Sequence, residues 1–169
     1  MSEKFHEVKG IARCYIHFVE TWRITSAVLG IILVVAYATG SGFWVSNNSP
    51  WYFSLNRPFW QPPDWVFGVI WPYNFIMLGV TSFVVAQRLS KTFVISWLLL
   101  FALSVVAALV WSYLFYVPHN LTGASIALVS TAILTIPLTV ITFRFSIGYG
   151  LALLPYQIWV AIASSLAVG

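Results

Sequence analysis

Three polar or aromatic side chains in one short apolar stretch are the first candidates for chemistry. Trp71, Asn74 and Phe75 lie three and four residues apart, the spacing that places side chains on one face of a helix. A Trp N–H and an Asn amide within a bilayer need partners. A flat aromatic face beside a single amide suits a planar, hydrophobic ligand, and an interhelical hydrogen bond with a kink at Pro72 is the structural alternative. Other chemistries find little support. The histidines are His6, His17 and His119, all in tails or loops, where they cannot serve as axial ligands of a haem held between helices. Cys14 is the single cysteine, too few for a thiolate metal site. No serine or threonine of the apolar segments has a His base within helical reach, so no hydrolytic machinery is visible. No catalytic residue, metal or cofactor is therefore assigned from the residues themselves.

The elements that position these residues follow from composition. Of 169 residues, 60% are hydrophobic and only 7% charged, with nine Trp, eight Tyr and thirteen Phe. Soluble domains carry about 25% charge, so this is a membrane protein. Its charges are punctuation. Uncharged intervals span 24–56, 65–87, 92–143 and 145–169. A spanning helix needs about 20 apolar residues. The 92–143 interval holds two, divided at Pro118-His119-Asn120, and the others hold one each. Runs such as Ala27 to Val35 are apolar on every side, unlike the alternating strands of a barrel. The expected fold is all-α: a five-transmembrane-helix bundle with helices at about 24–45, 64–87, 92–117, 123–143 and 146–168.

Residues 1–23 read as an amphipathic interfacial segment rather than a cleavable leader, with Phe5, Val8, Ala12, Tyr15, Val19 and Trp22 on one side. Loop Lys and Arg divide seven to one. This places the amino terminus in the cytoplasm and the carboxyl terminus on the opposite side. The basic balance thus reports orientation, and nucleic acid has no part in it. No Asp, Glu, Lys or Arg falls within a span, which disfavours ion-coupled transport. Asn47-Asn48-Ser49 and Asn120-Leu121-Thr122 match glycosylation acceptors on the outward side, a pattern that chance also produces. Gly68 and Gly79 could support close helix packing.

The stretch from Trp51 to Trp71 is the most specific. It reads WYFSLNRPFWQPPDWVFGVIW, and Pro62-Pro63-Asp64 suits a helix start. It resembles the TspO/MBR family of tryptophan-rich sensory proteins and mitochondrial translocator proteins. That family's pattern W-Y-x-x-L-x-[KR]-P-x-W-x-P-P-x-W-V-F-G-x-x-W is met from Trp51 through Arg57, Pro58 and Gly68 to Trp71. Trp111-Ser112-Tyr113-Leu114-Phe115-Tyr116 and Leu153-Leu154-Pro155-Tyr156-Gln157-Ile158-Trp159 look like two further family stretches, in family order. The resemblance covers about residues 25–169.

It implies a five-helix bundle, often a homodimer, with an aromatic pocket inside each monomer closed by a lid at 46–63. The implied ligands are porphyrins and other hydrophobic small molecules, sterols among them, and the implied roles are sensor, receptor or carrier. The resemblance assigns Tyr52 and Trp60 to the mouth, Trp111 and Phe115 to a wall, and Trp71 and Trp159 to the porphyrin. Asn74, Phe75, Tyr156 and Ala163 complete the expected ligand-binding set. Light-dependent porphyrin breakdown, with Trp71 or Trp159 as radical partner, is the enzymatic alternative. A structural protein whose aromatics only pack helices is the third. Departures from the family pattern at Ala108, Ser130 and Ala167 remove polar groups from the expected pocket. The usual sterol motif at Tyr156 lacks its Lys or Arg, and a reversed match runs from Arg13 to Val19.

Overall fold

A computed structural model describes residues 2–45, 50–55 and 58–168, with side chains from residue 19 to residue 167. The side chains of residues 1–18, which carry most of the amphipathic tail and of the reversed sterol match, lie outside these residues, as do Arg57 and the Asn47-Asn48-Ser49 acceptor. Every regular element among those described is a helix. They are α1 (Ser2–Trp44), α2 (Pro50–Ser54), α3 (Asp64–Arg88), α4 (Lys91–Tyr116), α5 (Leu121–Phe145) and α6 (Ile147–Val168). Five contain spans long and apolar enough to cross a membrane: Val19–Trp44 within α1, then Asp64–Arg88, Lys91–Tyr116, Leu121–Phe145 and Ile147–Ala167. The segment between α1 and α3 is not all loop, because α2 occupies part of it.

The helices end where the sequence supplies stops. Asp64 opens α3 directly after Pro62-Pro63, a charge suited to the positive helix terminus. Ser90 stands before α4, and Ser146 alone separates α5 from α6. Asn120 caps α5 by accepting from the Gly123 N–H at 2.9 Å. His119, beside it, has φ of 56° and turns the chain between α4 and α5. Such short connections force successive spans to run antiparallel.

The helices form a closed ring in the order α1, α4, α5, α6, α3 and back to α1, with α3 and α4 only brushing across it. Chain order and ring order differ, so α1 sits between α3 and α4. Side-chain hydroxyls and amides stitch neighbours together. Ser112 Oγ donates to the Ser41 carbonyl at 3.0 Å, and Tyr73 Oη to the Ala152 carbonyl at 2.9 Å. Trp97 Nε1 donates to Thr142 Oγ1 at 3.1 Å, and Ser164 Oγ to the Leu128 carbonyl at 3.1 Å. Gln157 Nε2 reaches the Ala132 carbonyl at 3.1 Å, a helix-interface role consistent with its offset from Trp159. Ser130, Thr131 and Ser165 bond back to their own helices. In lipid these bonds satisfy groups that water cannot.

Close backbone approach comes from glycines other than Gly68 and Gly79. A Cβ on Gly68 would meet nothing within 4 Å, and one on Gly79 only Ile31 Cδ1 at 3.5 Å. A Cβ on Gly30 would lie 2.5 Å from Ser82 Cβ, and one on Gly150 2.4 Å from the Phe143 ring. These two are where the chain needs the missing side chain.

Candidate functional site

Counting residues at 1.5 Å of rise gives the depth of each candidate below the α2 end of the bundle. Tyr37, Trp71, Asn74, Phe75, Tyr156 and Trp159 sit about 10 to 18 Å below it, and Trp111 about 8 Å. The expected site residues from α3, α4 and α6 therefore share one half of the bundle. Antiparallel threading places them there: α3 descends from Asp64 while α4 and α6 climb towards their carboxyl ends.

The centre of this half is an aromatic cluster. Trp71 and Phe75 stack, with centroids 5.5 Å apart and planes 25° from parallel, as their spacing on one helix face requires. Tyr37 of α1 presents its edge to both, at 5.9 Å and 5.3 Å. Tyr156 of α6 meets Tyr37 at 6.4 Å. Edge-on contacts of this kind satisfy the ring quadrupoles. Trp159 packs edge-to-face against Phe67 at 4.9 Å. Trp111 and Phe115 form a third pair at 5.9 Å, and Tyr116 extends it. Ala163 is half-buried against the same core.

Above this pair sits α2. Trp51 stacks on the His119 ring at 3.8 Å and meets Phe115 edge-on at 5.2 Å, tying α2 to the α4–α5 turn. Tyr52 is half-buried in α2, its ring 6.0 Å from Phe53. Trp60 is not drawn into these clusters. It lies in a turn after Pro58 and is 44% exposed.

The polar atoms of the site are unusual. Asn74 is fully buried, and neither its amide nitrogen nor its oxygen has a hydrogen-bond partner among the described residues. The Trp111 and Trp159 indole nitrogens are likewise buried and unpartnered. Tyr156 is fully buried, with the Tyr37 and Ser104 hydroxyls as its polar neighbours. Buried polar groups are normally hydrogen-bonded, and each exception calls for a cause. Pro72 adds to the polarity, since it withholds a helix donor from the Gly68 carbonyl.

Three family departures are visible in place. Ala108 is buried in the core, Ser130 turns to the Ile126 carbonyl, and the Ala167 carbonyl accepts from Ser125 Oγ. Of the three only Ala108 is buried, and it presents a methyl group there; Ser130 is half-buried. Tyr37 and Phe67 join the site without having been expected from the sequence. A lone Tyr within the apolar run of the first span is the one signal for Tyr37; Phe67 carries none beyond its place in the motif. Among the described residues no group of three or more His, Cys, Asp or Glu could hold a metal ion.

A ring of five apolar helices around an aromatic cluster, with every buried polar residue among those described uncharged, defines a polytopic integral membrane protein. Its sequence matches the TspO/MBR family over residues 26–169. The chain belongs to that family. It is 34% identical over 140 residues to the tryptophan-rich protein TspO of Chlorobaculum tepidum, covering 82% of this chain and 87% of that one. It is 28% identical over 141 residues to protein CrtK of Rhodobacter capsulatus, covering 83% and 86%. It is 29% identical over 141 residues to the translocator protein of Bos taurus, covering 82% and 79%.

Proposed function

We propose that this protein binds a planar hydrophobic ligand of the porphyrin class inside the helix ring, between the Trp71–Phe75 stack, Tyr37, Trp159 and the Trp111–Phe115 pair. It acts there as a sensor or carrier. The observation that carries the reading is the set of buried, unpartnered donors and acceptors on Asn74, Trp111 and Trp159. A dry interior would leave them each at a cost of about 1–3 kcal/mol. A tetrapyrrole offers pyrrole nitrogens and carboxylates for these groups, and its faces suit the aromatic rings. Sites of this type are mostly apolar with few placed polar atoms. Membership of a family that includes a sensory protein and a translocator protein by name fits a ligand-handling role.

Tyr52 and Trp51 of α2, with Trp60, form the mouth in this reading, Ala163 lines the wall above Trp159 on α6, and Tyr156 lines the floor. The homodimer that the family resemblance implies belongs to the same proposal. Light scattering on the detergent-solubilised protein, with detergent mass subtracted, is expected to give two chains of 19.0 kDa.

Titration with protoporphyrin, followed by Trp fluorescence, tests the site. Saturable quenching is expected, weakened at least several-fold in Trp71→Phe and Trp159→Phe. Quenching that is absent, or unchanged in both variants, would exclude the interior site. Illumination of the same complex separates binding from breakdown. A porphyrin spectrum that persists under light means binding alone, and one that bleaches only with Trp71 and Trp159 intact means the radical chemistry is present.

A further inference from the structure

The opposite end of the bundle carries a second feature, on the lipid-facing side where α1 meets α4. A groove of about 340 Å³ runs between these two helices, within the size range of small-molecule sites. Its walls are two matching stripes. On α1, Ser26, Leu29 and Leu33 follow Trp22 at offsets of four, seven and eleven residues. On α4, Ile95, Leu98 and Ala102 follow Lys91 at the same offsets. Parallel helices with identical spacing present a straight apolar channel. From Trp22 to Leu33 it extends about 16 Å, the depth of one leaflet of a bilayer whose hydrocarbon core is about 30 Å thick.

Two polar features mark the mouth. Lys91 Nζ sits 4.8 Å above the Trp22 ring, and Trp22 and Lys91 both belong to the interfacial end of their helices. Arg23, Arg88 and Arg144 project at this same end, against Glu20 as the sole described acid there. One turn deeper lies Ser26, part of the groove lining and only 1% exposed, whose Oγ is buried and has no partner among the described residues. Its neighbours behave differently: Thr25, Thr39 and Ser41 on the same helix donate to carbonyls four residues back. A second groove on the other flank of α1, lined by Val28, Ile31 and Phe83, contains none of the unpartnered buried atoms.

We infer that the α1–α4 groove is a binding site for one anionic membrane phospholipid. The phosphate lies beside Lys91 and Arg23, the Ser26 hydroxyl turns about χ1 into the channel to donate to an ester carbonyl, and an acyl chain fills the channel down to Leu33 and Ala102. The order phosphate, ester, chain follows lipid chemistry, and the order cation, hydroxyl, apolar stripe follows the protein. A basic recess among membrane helices is a recognised means of holding acidic headgroups. The groove opens to the lipid-facing side, and although Trp22, Leu33 and Leu98 pack on the same core as the interior cluster, lipid binding there does not depend on an interior ligand.

Native mass spectrometry tests the inference on the full chain released from nanodiscs of equimolar phosphatidylglycerol and phosphatidylcholine. One phosphatidylglycerol is expected to remain bound, enriched at least about fivefold over phosphatidylcholine. Ala102→Phe should fill the channel and abolish retention, and Ser26→Ala should lower it several-fold. Lys91→Gln should bring the two lipids to near-equal retention. Phe83→Leu, in the other groove, should change nothing. Far-UV circular dichroism checks that each variant keeps its helices, and Ser26→Ala removes one oxygen only, so its result stands if Ala102→Phe fails to fold. Equal retention of both lipids by the unaltered protein would overturn the inference. So would retention unaffected by both Ser26→Ala and Ala102→Phe, or displacement of the phospholipid by an equimolar sterol.

Discussion

Asn74 concentrates the tension of the site in one side chain. Its amide is fully buried and bonds to nothing among the described residues, yet it sits beside a Trp–Phe stack in the centre of the ring. Leu has a similar size and no polar atoms, so Asn74→Leu should stabilise the ligand-free protein by about 1–3 kcal/mol. Thermal unfolding in detergent should then rise by roughly 2–4 °C per kcal/mol for a chain of this size. Protoporphyrin affinity should fall in the same variant. A lower melting temperature would mean that Asn74 already has a structural partner, which would remove it from the ligand set. The common face of Trp71, Asn74 and Phe75 is legible in the sequence, because helical periodicity alone puts them there. The place of Tyr37 is not, since its contact with them joins α1 to α3 and no local pattern encodes that.

At the scale of the helix, packing depends on which residue is small at a crossing. Gly30→Ala places a Cβ where Ser82 Cβ already stands, 2.5 Å away. Overpacking of this kind costs about 1–3 kcal/mol. Gly68→Ala points into open space and should be neutral or slightly stabilising, because Ala favours a helix over Gly by about 1 kcal/mol. Paired melts of the two variants check this, and a reversed order would show that α1 and α3 are not in this register. Sequence alone favours Gly68 and Gly79 because they occur in the motif-bearing helix. Crossing points, however, are set by the partner helix, and the partner of Gly30 is 52 residues away. The span count is more accessible, since a bilayer's thickness and sparse charges impose it directly.

For the whole molecule, α2 matters through what it covers. Trp51 anchors it to His119 and Phe115 at the end of the ring nearest the aromatic interior. Trp51→Ala should loosen this cover and speed protoporphyrin release several-fold in stopped-flow displacement, with smaller effect on quenching at saturation. An unchanged release rate would mean that the ligand leaves by another route. Orientation is a second whole-molecule property. In a Cys14→Ser background, Ser90→Cys in the α3–α4 turn should react with a membrane-impermeant maleimide from the cytoplasmic side alone, as the seven-to-one distribution of loop cations demands. Labelling from the outer side would invert the topology.

Composition and charge spacing by themselves determined an all-helical, five-span membrane protein, and three motifs determined its family. These are properties of short segments in contact with lipid and water, so each segment declares them locally. The tertiary structure decided the ring order that places α1 between α3 and α4, and with it the Tyr37 edge on Trp71. It also set Trp51 of α2 over Phe115 and His119, and left Trp60 outside. The reason is that helix neighbours in a bilayer are chosen by side-chain fit and interhelical hydrogen bonds between distant segments. No single apolar span carries that information.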